Sequence, residues 1–390
     1  MKILITTDLF TTSTNGVVTS VKNLWSELVK KGHEVRILTL SENRHSYQKD
    51  HVSYIASVPI GVYPDVRMPL NYRHRYLKEL IEWGPDIIHS QCEFFTLRFA
   101  CYISKKTKAP IVHTYHTLYE QYVTYIFPSQ RLGKHIVSGL SRMLLKRIDR
   151  VIVPTRKVED ALLGYGLKNP ISVVPSGISL EQHKRRLPKD VRDQKRAALG
   201  IDADCLVLLN LGRLGTEKNL DELVRFYAKA IEKAPNTRFL IVGDGPAKVQ
   251  LEKLAASLEL SDRVIFTGMV KPSEVQEYYQ LGDLFVSAST SETQGLTYVE
   301  AAANGLPLLC RQDLCLKDVI VQGENGYEYT CEEEFLSHLE RIQNDAAWCN
   351  RAGKCSEQIA EAFGKSAFGE KVERVYREVL HIEERVEQSV

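Results

Sequence analysis

Residues 205–220 read CLVLLNLGRLGTEKNL, and residues 291–301 read SETQGLTYVEA. In the first stretch an apolar, strand-like run stops at Gly212 and gives way to a loop carrying Arg213 and Lys218. Cations fixed at that place suit a diphosphate, which needs positive charge and directed donors. In the second stretch Gly295 and Leu296 open a helical pattern, LTYVEAAAN, whose first free N–H groups form a ready anion site. Glu292 and Glu300 stand eight residues apart on either side of the Gly-Leu pair, placed to accept hydrogen bonds from hydroxyls. Diphosphate donors beside hydroxyl acceptors are the requirements of a nucleotide-sugar site.

The glutamate spacing also argues against hydrolysis. Eight helical residues rise about 12 Å, whereas the two carboxyls of a retaining glycosidase stand about 5 Å apart and those of an inverting one no more than about 9.5 Å. A pair so separated spans a ligand rather than attacking it, an argument that requires Glu292 to be already within the helix.

Outward from these two stretches, short β-branched runs alternate with amphipathic segments in both halves of the chain. KILITT, EVRILTL, DIIHS, PIVHTY, RVIVPT and ISVVP are strand candidates in the first half, and CLVLLNLG, RFLIVGDG, RVIFTG, DLFVSAS and LPLLC in the second. Strands alternating with helices predict an α/β fold of parallel sheets covered on both faces. Two such sheets predict two Rossmann-like domains with ligand at the carboxyl ends of the strands. A length of 390 residues exceeds what one core organises. The expected domains are residues 1–185 and 200–370, separated by SLEQHKRRLPKDVRDQKR, where apolar runs lapse and Pro188 interrupts a basic sequence.

Two further signals are weaker. Asp202 and Asp204 spell a D-x-D metal signature, but they precede a strand, where a surface turn is the expected use. With no other clustered carboxylates, no metal and no cofactor are expected, and Arg213 and Lys218 are left to neutralise the diphosphate. Gly243 and Gly245, in GDGP, follow a strand-like run and read as a turn or as a phosphate-side loop. In the first half, Asn15 and Gly16 lie between the first strand and its helix, where a glycine permits close approach to a phosphate or sugar. His113 and His116, with Tyr115 and Tyr119 beside them, follow the strand PIV and read as a sugar or acceptor surface.

GRLGTEKNL, VGDGP and SETQGLTYVEAAANGLP resemble the donor-site motifs of the retaining glycosyltransferases of family four, which have the GT-B fold. TNGVVTSV, IIHSQCEF, HTYHTLYEQYVTY and VIVPTRKVEDAL are similar to segments of the bacterial diacylglycerol glucosyltransferases and glycolipid glycosyltransferases. The resemblance spans about residues 1 to 380 and implies two Rossmann-like domains facing a central cleft, with a last helix, about 371–390, returning to the first domain. It further implies a UDP-hexose donor, glucose or galactose, transferred with retention to a lipid hydroxyl of diacylglycerol or monoglycosyl-diacylglycerol. His116 is then the imidazole near the reacting centre, Gly212 and Met269 join the donor loops, Glu292 orients the hexose, and Glu300 holds the ribose hydroxyls. No enzymic nucleophile is evident in these motifs, so the departing diphosphate, stabilised by Arg213 and Lys218, accepts the proton of the incoming hydroxyl. Two positions depart from the family pattern: Thr293-Gln294 replaces the common Gly-Phe or Phe, and Ser179 stands where Asp is frequent. A polysaccharide or soluble acceptor, or a non-catalytic nucleotide-sugar-binding adaptor, are the alternative readings.

No apolar run approaches the ~18 residues that span a bilayer, so membrane contact is expected to be peripheral. Eight cysteines without C-x-x-C spacing, and no signal peptide ahead of the first strand, point to reduced thiols in a cytoplasmic protein on the inner face of the cell membrane. A net charge of +2 gives no reason to expect nucleic acid. Local charge is more informative. In RLGKHIVSGLSRMLLKRIDR, residues 131–150, Arg131, Lys134, His135, Arg142 and Lys146 fall within about 120° of arc on a helical wheel, opposite Leu132, Ile136, Leu140, Met143, Leu144 and Ile148. A basic amphipathic helix of this kind can lie on an anionic membrane surface, or can pack its apolar face on the domain with its basic face solvated.

Overall fold

The computed structural model describes residues 1–10, 16–60, 67–118 and 130–382; for residues 130, 131, 132 and 134 it describes the backbone only. The chain divides into two compact units, Met1–Gly177 with Lys365–Val390, and Ile178–Gly364. The division falls upstream of the basic stretch 180–197, which therefore belongs to the second unit. Leu180–His183 and Lys189–Ala198 are helices there. The basic composition conceals specific anchors: Arg196 is buried and donates to the Leu281 carbonyl at 3.1 and 2.8 Å and to Asp283 at 2.8 Å, and Arg192 pairs with the same carboxylate. A charge buried this deeply persists only when paired and hydrogen-bonded.

The first unit is built on an eight-stranded sheet. Its strands are β1 (Lys2–Thr7), β2 (Glu34–Leu40), β3 (Tyr47–Lys49), β4 (Val52–Ile55), β7 (Ile87–Ser90), β8 (Ile111–Thr114), β9 (Arg150–Val153) and β10 (Ile171–Val173), in the order β10-β9-β8-β7-β1-β2-β4-β3. Between β4 and β7, β5 (Ser57–Pro59) and β6 (Arg67–Pro69) form a separate antiparallel ladder. Only β3 runs antiparallel to its neighbour in the large sheet. Side chains alternate between two cores, as the period of two requires. Leu4, Ile88, Ile111 and Val151 face one, with the helices Arg75–Trp83, Phe95–Thr107 and Arg156–Gly164 over them, while Ile3, Ile5, Ile87 and Val112 face the other.

Covering that second face are Gly16–Lys30 and the C-terminal helix Lys365–Val379, whose Phe368, Val372, Val375 and Tyr376 are buried. Tyr376 is pinned by His89 of β7: the phenol oxygen lies 2.6 Å from Nδ1, and Nε2 lies 2.7 Å from the Thr114 hydroxyl. Burial drives the His89 pKa well below its usual value, so this link is made by a neutral imidazole.

The second unit holds β11 (Leu206–Leu211), β12 (Thr237–Val242), β13 (Val264–Phe266), β14 (Leu284–Ser287), β15 (Leu308–Arg311) and β16 (Gly326–Tyr329), all parallel, in the order β13-β12-β11-β14-β15-β16. Strand order reverses between β11 and β14. These two strands pair over Leu208–Leu284 and Leu209–Phe285, whereas β11 and β12 stay in register from Leu206 to Leu211. Their carboxyl ends thus diverge at the reversal, where open α/β sheets bind ligands.

Candidate active site

In the second unit four loops meet at the carboxyl edge of the sheet. The loop after β11 carries Gly212, Arg213 and Lys218, and those after β12 and β13 carry Gly243 to Gly245 and Gly268-Met269. Gly243 and Gly245 adopt φ of 134° and 158° and press directly on the first loop. A Cβ on Gly243 would stand 1.9 Å from the Gly212 carbonyl oxygen, and one on Gly245 would stand 2.5 Å from that of Leu214. Backbone hydrogen bonds fasten the three loops together, from Leu214 N to Asp244 O at 2.9 Å and from Gly243 N to Gly268 O at 3.1 Å. Met269, at the tip of the third, is 77% exposed.

The fourth loop follows β14 and runs through Ser289 to Gln294 into the helix Leu296–Ala303. Gly295, at the helix N-cap, has φ 72°, and a Cβ there would meet the Tyr298 ring at 2.3 Å. Glu292 is therefore loop, not helix, and a helical rise does not measure its separation from Glu300. Across the strand-order reversal, Lys218 forms an ion pair with Glu292, and Asn219, in the left-handed region at φ 51°, donates its side-chain amide to the Ala288 carbonyl at 3.2 Å. The Lys218–Glu292 pair thus joins the two stretches that the sequence separates by seventy-odd residues. Arg213 stays half-exposed and pairs with Glu217 one turn later. Glu300, on the inner side of the helix, accepts a 2.7 Å hydrogen bond from the Tyr279 hydroxyl. Burial raises its pKa to about 7, outweighing the lowering effect of that bond.

The first unit has its own cluster at the carboxyl ends of β1, β7 and β8. Asp8, after β1, is buried and accepts hydrogen bonds from the backbone N–H groups of Phe95 and Thr96 at 3.3 and 2.8 Å, starting the helix Phe95–Thr107. Glu93, after β7, lies 3.4 Å from Nε2 of His113. His116, just beyond β8, has Nε2 2.8 Å from the Gln91 side-chain oxygen. With Nε2 donating to that oxygen, Nδ1 is left as the accepting nitrogen of a neutral ring. Burial lowers the His116 pKa to about 4, against the opposing charge of Glu93, so the ring is neutral at physiological pH.

Helix Gln130–Leu145 belongs to this unit. Leu145 and Ile148 are buried and Val137 and Leu144 partly so, all on the core; Ile136, Leu140 and Met143 are 43, 45 and 65% exposed. The apolar arc read from the sequence is thus divided. One part packs inward, and an exposed stripe at spacings of four and three lies between that part and the exposed His135, Arg142 and Lys146.

The family model described as Glycosyltransferase Family 4 matches residues 14–182, and that described as Glycosyl transferases group 1 matches residues 191–361. Alpha-monoglucosyldiacylglycerol synthase of Streptococcus pneumoniae is 35% identical over 370 residues, covering 94% of this chain and 84% of that protein. The enzyme of the same name from Acholeplasma laidlawii is 30% identical over 97% of this chain and 98% of its own. The chain belongs to glycosyltransferase family 4. Among solved structures, Anabaena HepE in complex with UDP and glucose superposes with a TM-score of 0.75 at 17% identity, covering 97% of this chain and all of that one, a likeness of fold. The transferase therefore has the GT-B architecture of two parallel-sheet α/β domains.

Of the donor-side residues named from sequence, the transferase gathers Gly212, Arg213, Lys218, Gly243, Gly245, Met269, Glu292, Gly295, Leu296 and Glu300 on the loops and first helix at one sheet edge. In the first unit, Gly16 opens the helix Gly16–Lys30. His113 and Tyr115 are not a surface. His113 lies within β8 and Tyr115 directly after it, both fully buried because β8 is an interior strand covered on each face, and the Tyr115 hydroxyl lies 3.1 Å from that of Ser141. Asn15 and Tyr119 lie outside the described residues, as do the side chains of Arg131 and Lys134. Sequence reasoning missed Glu217, Tyr279, Asp8, Gln91 and Glu93. The last two sat within a quoted motif, IIHSQCEF, and directly follow a parallel strand, a position that could have marked them. Among the described residues no group of three or more His, Cys, Asp or Glu side chains converges to hold a metal.

Proposed function

We propose that the transferase moves a hexose, glucose or galactose, from its UDP donor to the hydroxyl of diacylglycerol or monoglycosyl-diacylglycerol, with retention, while resting on the inner face of the cell membrane. The observation that carries this reading is the near full-length similarity to two enzymes named for glucosyldiacylglycerol synthesis. One feature of the molecule supports it: the exposed apolar side chains of Ile136, Leu140 and Met143, beside cations on helix Gln130–Leu145, suit a lipid interface.

The diphosphate sits at the strand-order reversal of the second unit. Its charge exchanges the carboxylate partners of Arg213 and Lys218, Glu217 and Glu292, for phosphate oxygens, and the N–H groups at the start of helix Leu296–Ala303 face it. Released from Lys218, Glu292 turns to the hexose, and Glu300 accepts from the ribose hydroxyls. As the sugar departs, Arg213 and Lys218 stabilise charge growing on the diphosphate, whose oxygen takes the proton of the incoming lipid hydroxyl. Neutral His116 presents Nδ1 as a hydrogen-bond acceptor on the acceptor side. The test is to offer radiolabelled UDP-glucose and UDP-galactose with vesicles containing diacylglycerol or glucosyl-diacylglycerol. A labelled glycolipid from either donor supports the reading, and transfer to soluble sugars with none to lipid defeats it.

A further inference from the structure

Behind the donor edge of the second unit, one helix grips another. Tyr279, fully buried on helix Val275–Leu281, donates its hydroxyl to Glu300 Oε2 at 2.7 Å. Its ring lies beside those of Phe285 on β14 and His183, each with centroids 6.3 Å away. Three residues earlier, on the same helix face, Gln276 donates its side-chain amide to Asn304 Oδ1 at 2.8 Å. Asn304 caps the far end of helix Leu296–Ala303 and donates back to the Glu300 carbonyl at 2.9 Å. The pair Gln276 and Tyr279 thus meets the pair Asn304 and Glu300. Two further side chains complete the brace on Asn304. Nδ1 of His183 lies 2.9 Å from its amide nitrogen, and Arg186 donates to its backbone carbonyl at 2.9 Å. Burial lowers the His183 pKa to about 4, so the ring is neutral and Nδ1 can accept.

A buried tyrosine ordinarily serves packing, its hydroxyl satisfied by whatever acceptor lies near. The acceptor chosen here argues for more. A backbone carbonyl would satisfy the phenol with no charge to desolvate, whereas a carboxylate in low-dielectric surroundings is disfavoured. Burial holds the Glu300 pKa up at about 7, and the Tyr279 bond is the effect that opposes it. Among the described residues no other titratable or charged side chain acts directly on Glu300, since His183 and Arg186 reach its helix through Asn304. Burial and the adjacent carboxylate drive the phenol pKa well above its usual value, so Tyr279 stays a donor. A carboxylate offers about four lone-pair sites; Tyr279 takes one, and the rest suffice for two ribose hydroxyls. Glu300 remains partly exposed while Tyr279 is sealed beneath it.

We propose that Tyr279 is a positioning residue for nucleotide recognition, its hydroxyl holding Glu300 in the orientation and the accepting state that the ribose hydroxyls require. The inference rests on the reading of Glu300 as the ribose acceptor. It is tested on the full chain by calorimetric titration of UDP at a series of pH values from about 6 to 9. Without the phenolic hydroxyl the Glu300 carboxyl keeps its proton to higher pH, and a protonated carboxyl accepts poorly. Tyr279→Phe should therefore bind UDP about fivefold more weakly than the parent at pH 7 and nearly as well at pH 9, the pattern of a carboxyl moved up by about one unit on losing a hydrogen bond to its charged form. With 2′-deoxy-UDP, which lacks one of the two hydroxyls, the loss at pH 7 should be smaller. Tyr278→Phe, the neighbouring phenol on the same helix, should leave both titrations unchanged.

A merely structural Tyr279 gives a different result: weakening that is the same at every pH and for both nucleotides, with a lower melting temperature. That outcome overturns the proposal. Glu300→Gln separates it from the reading beneath it. If Glu300→Gln loses UDP affinity while Tyr279→Phe matches the parent at every pH, the positioning role falls and the ribose reading stands. If Glu300→Gln binds UDP as the parent does at every pH, the ribose reading falls and takes this inference with it.

Discussion

At the scale of single residues, the Lys218–Glu292 pair explains why both side chains hold their positions before any donor arrives. Removing one strong electrostatic contact to a developing oxyanion costs about a hundredfold or more in turnover. Arg213→Ala and Lys218→Ala are each expected to lose that much in steady-state assays with thermal stability little changed; parental turnover in both would remove the diphosphate assignment. Glu300 supplies a pH signature. Its folded pKa, about 7, lies above the usual carboxylate value, so the protonated form is favoured and stability from this group is lost as pH rises towards 7. A carboxylate that accepts from two ribose hydroxyls must be ionised, and UDP should therefore bind more tightly as pH rises through about 7. Because the terminal phosphate of UDP titrates near ~6, the comparison is with Glu300→Gln, in which the component near 7 should be absent. Identical pH profiles for the two proteins would show that Glu300 does not meet the ribose. The place of Arg213 and Lys218 in the loop after an apolar strand was legible in the sequence, but their carboxylate partners were not. Glu217 is an unremarkable acid in a loop until the local turn brings it to Arg213, and Tyr279 reaches Glu300 only through tertiary packing.

At the scale of elements, the glycines in the loops after β11 and β12 act as spacers for backbone packed against backbone. Gly243→Ala puts a methyl group where the Gly212 carbonyl stands and adds the strain of a left-handed φ. The predicted result is a lower melting temperature with UDP affinity weakened by more than tenfold, read by calorimetry. An unchanged UDP titration would mean that the loop can part without disturbing the site. On helix Gln130–Leu145 the exposed stripe gives a different test. Leu140→Asp with Met143→Asp should abolish co-sedimentation with vesicles yet leave UDP binding intact, and continued sedimentation would place the docking surface elsewhere. Strands with β-branched, uniformly apolar runs were legible because interior parallel strands bury both faces. The edge strand GYEY, β16, was not legible: two of its four residues, Gly326 and Glu328, are not apolar. The helix 189–198 was hidden by its charge, since Arg192 and Arg196 serve as anchors to Asp283 rather than as a solvated linker.

For the whole molecule, each unit repeats one rule: groups suited to chemistry gather where strand order reverses, at β11 and β14 in the second unit and at β1 and β7 in the first. Fold class could be read from alternating strands and helices, and the gathering of the proposed donor-side residues at one sheet edge from motifs anchored to strand ends. The acceptor side was less legible because His113 and Tyr115 share a polar spelling with surface residues, and only the sheet's interior position shows them buried. Transfer of a hexose to lipid without inversion of its anomeric carbon is the reaction assigned to the chain. Its most direct test is proton NMR of the glycolipid formed from UDP-glucose and diacylglycerol vesicles by the full chain. An α-anomeric product, dependent on Lys218, is predicted, whereas a β-anomeric product, or release of free glucose with no lipid product, would contradict retaining transfer to lipid.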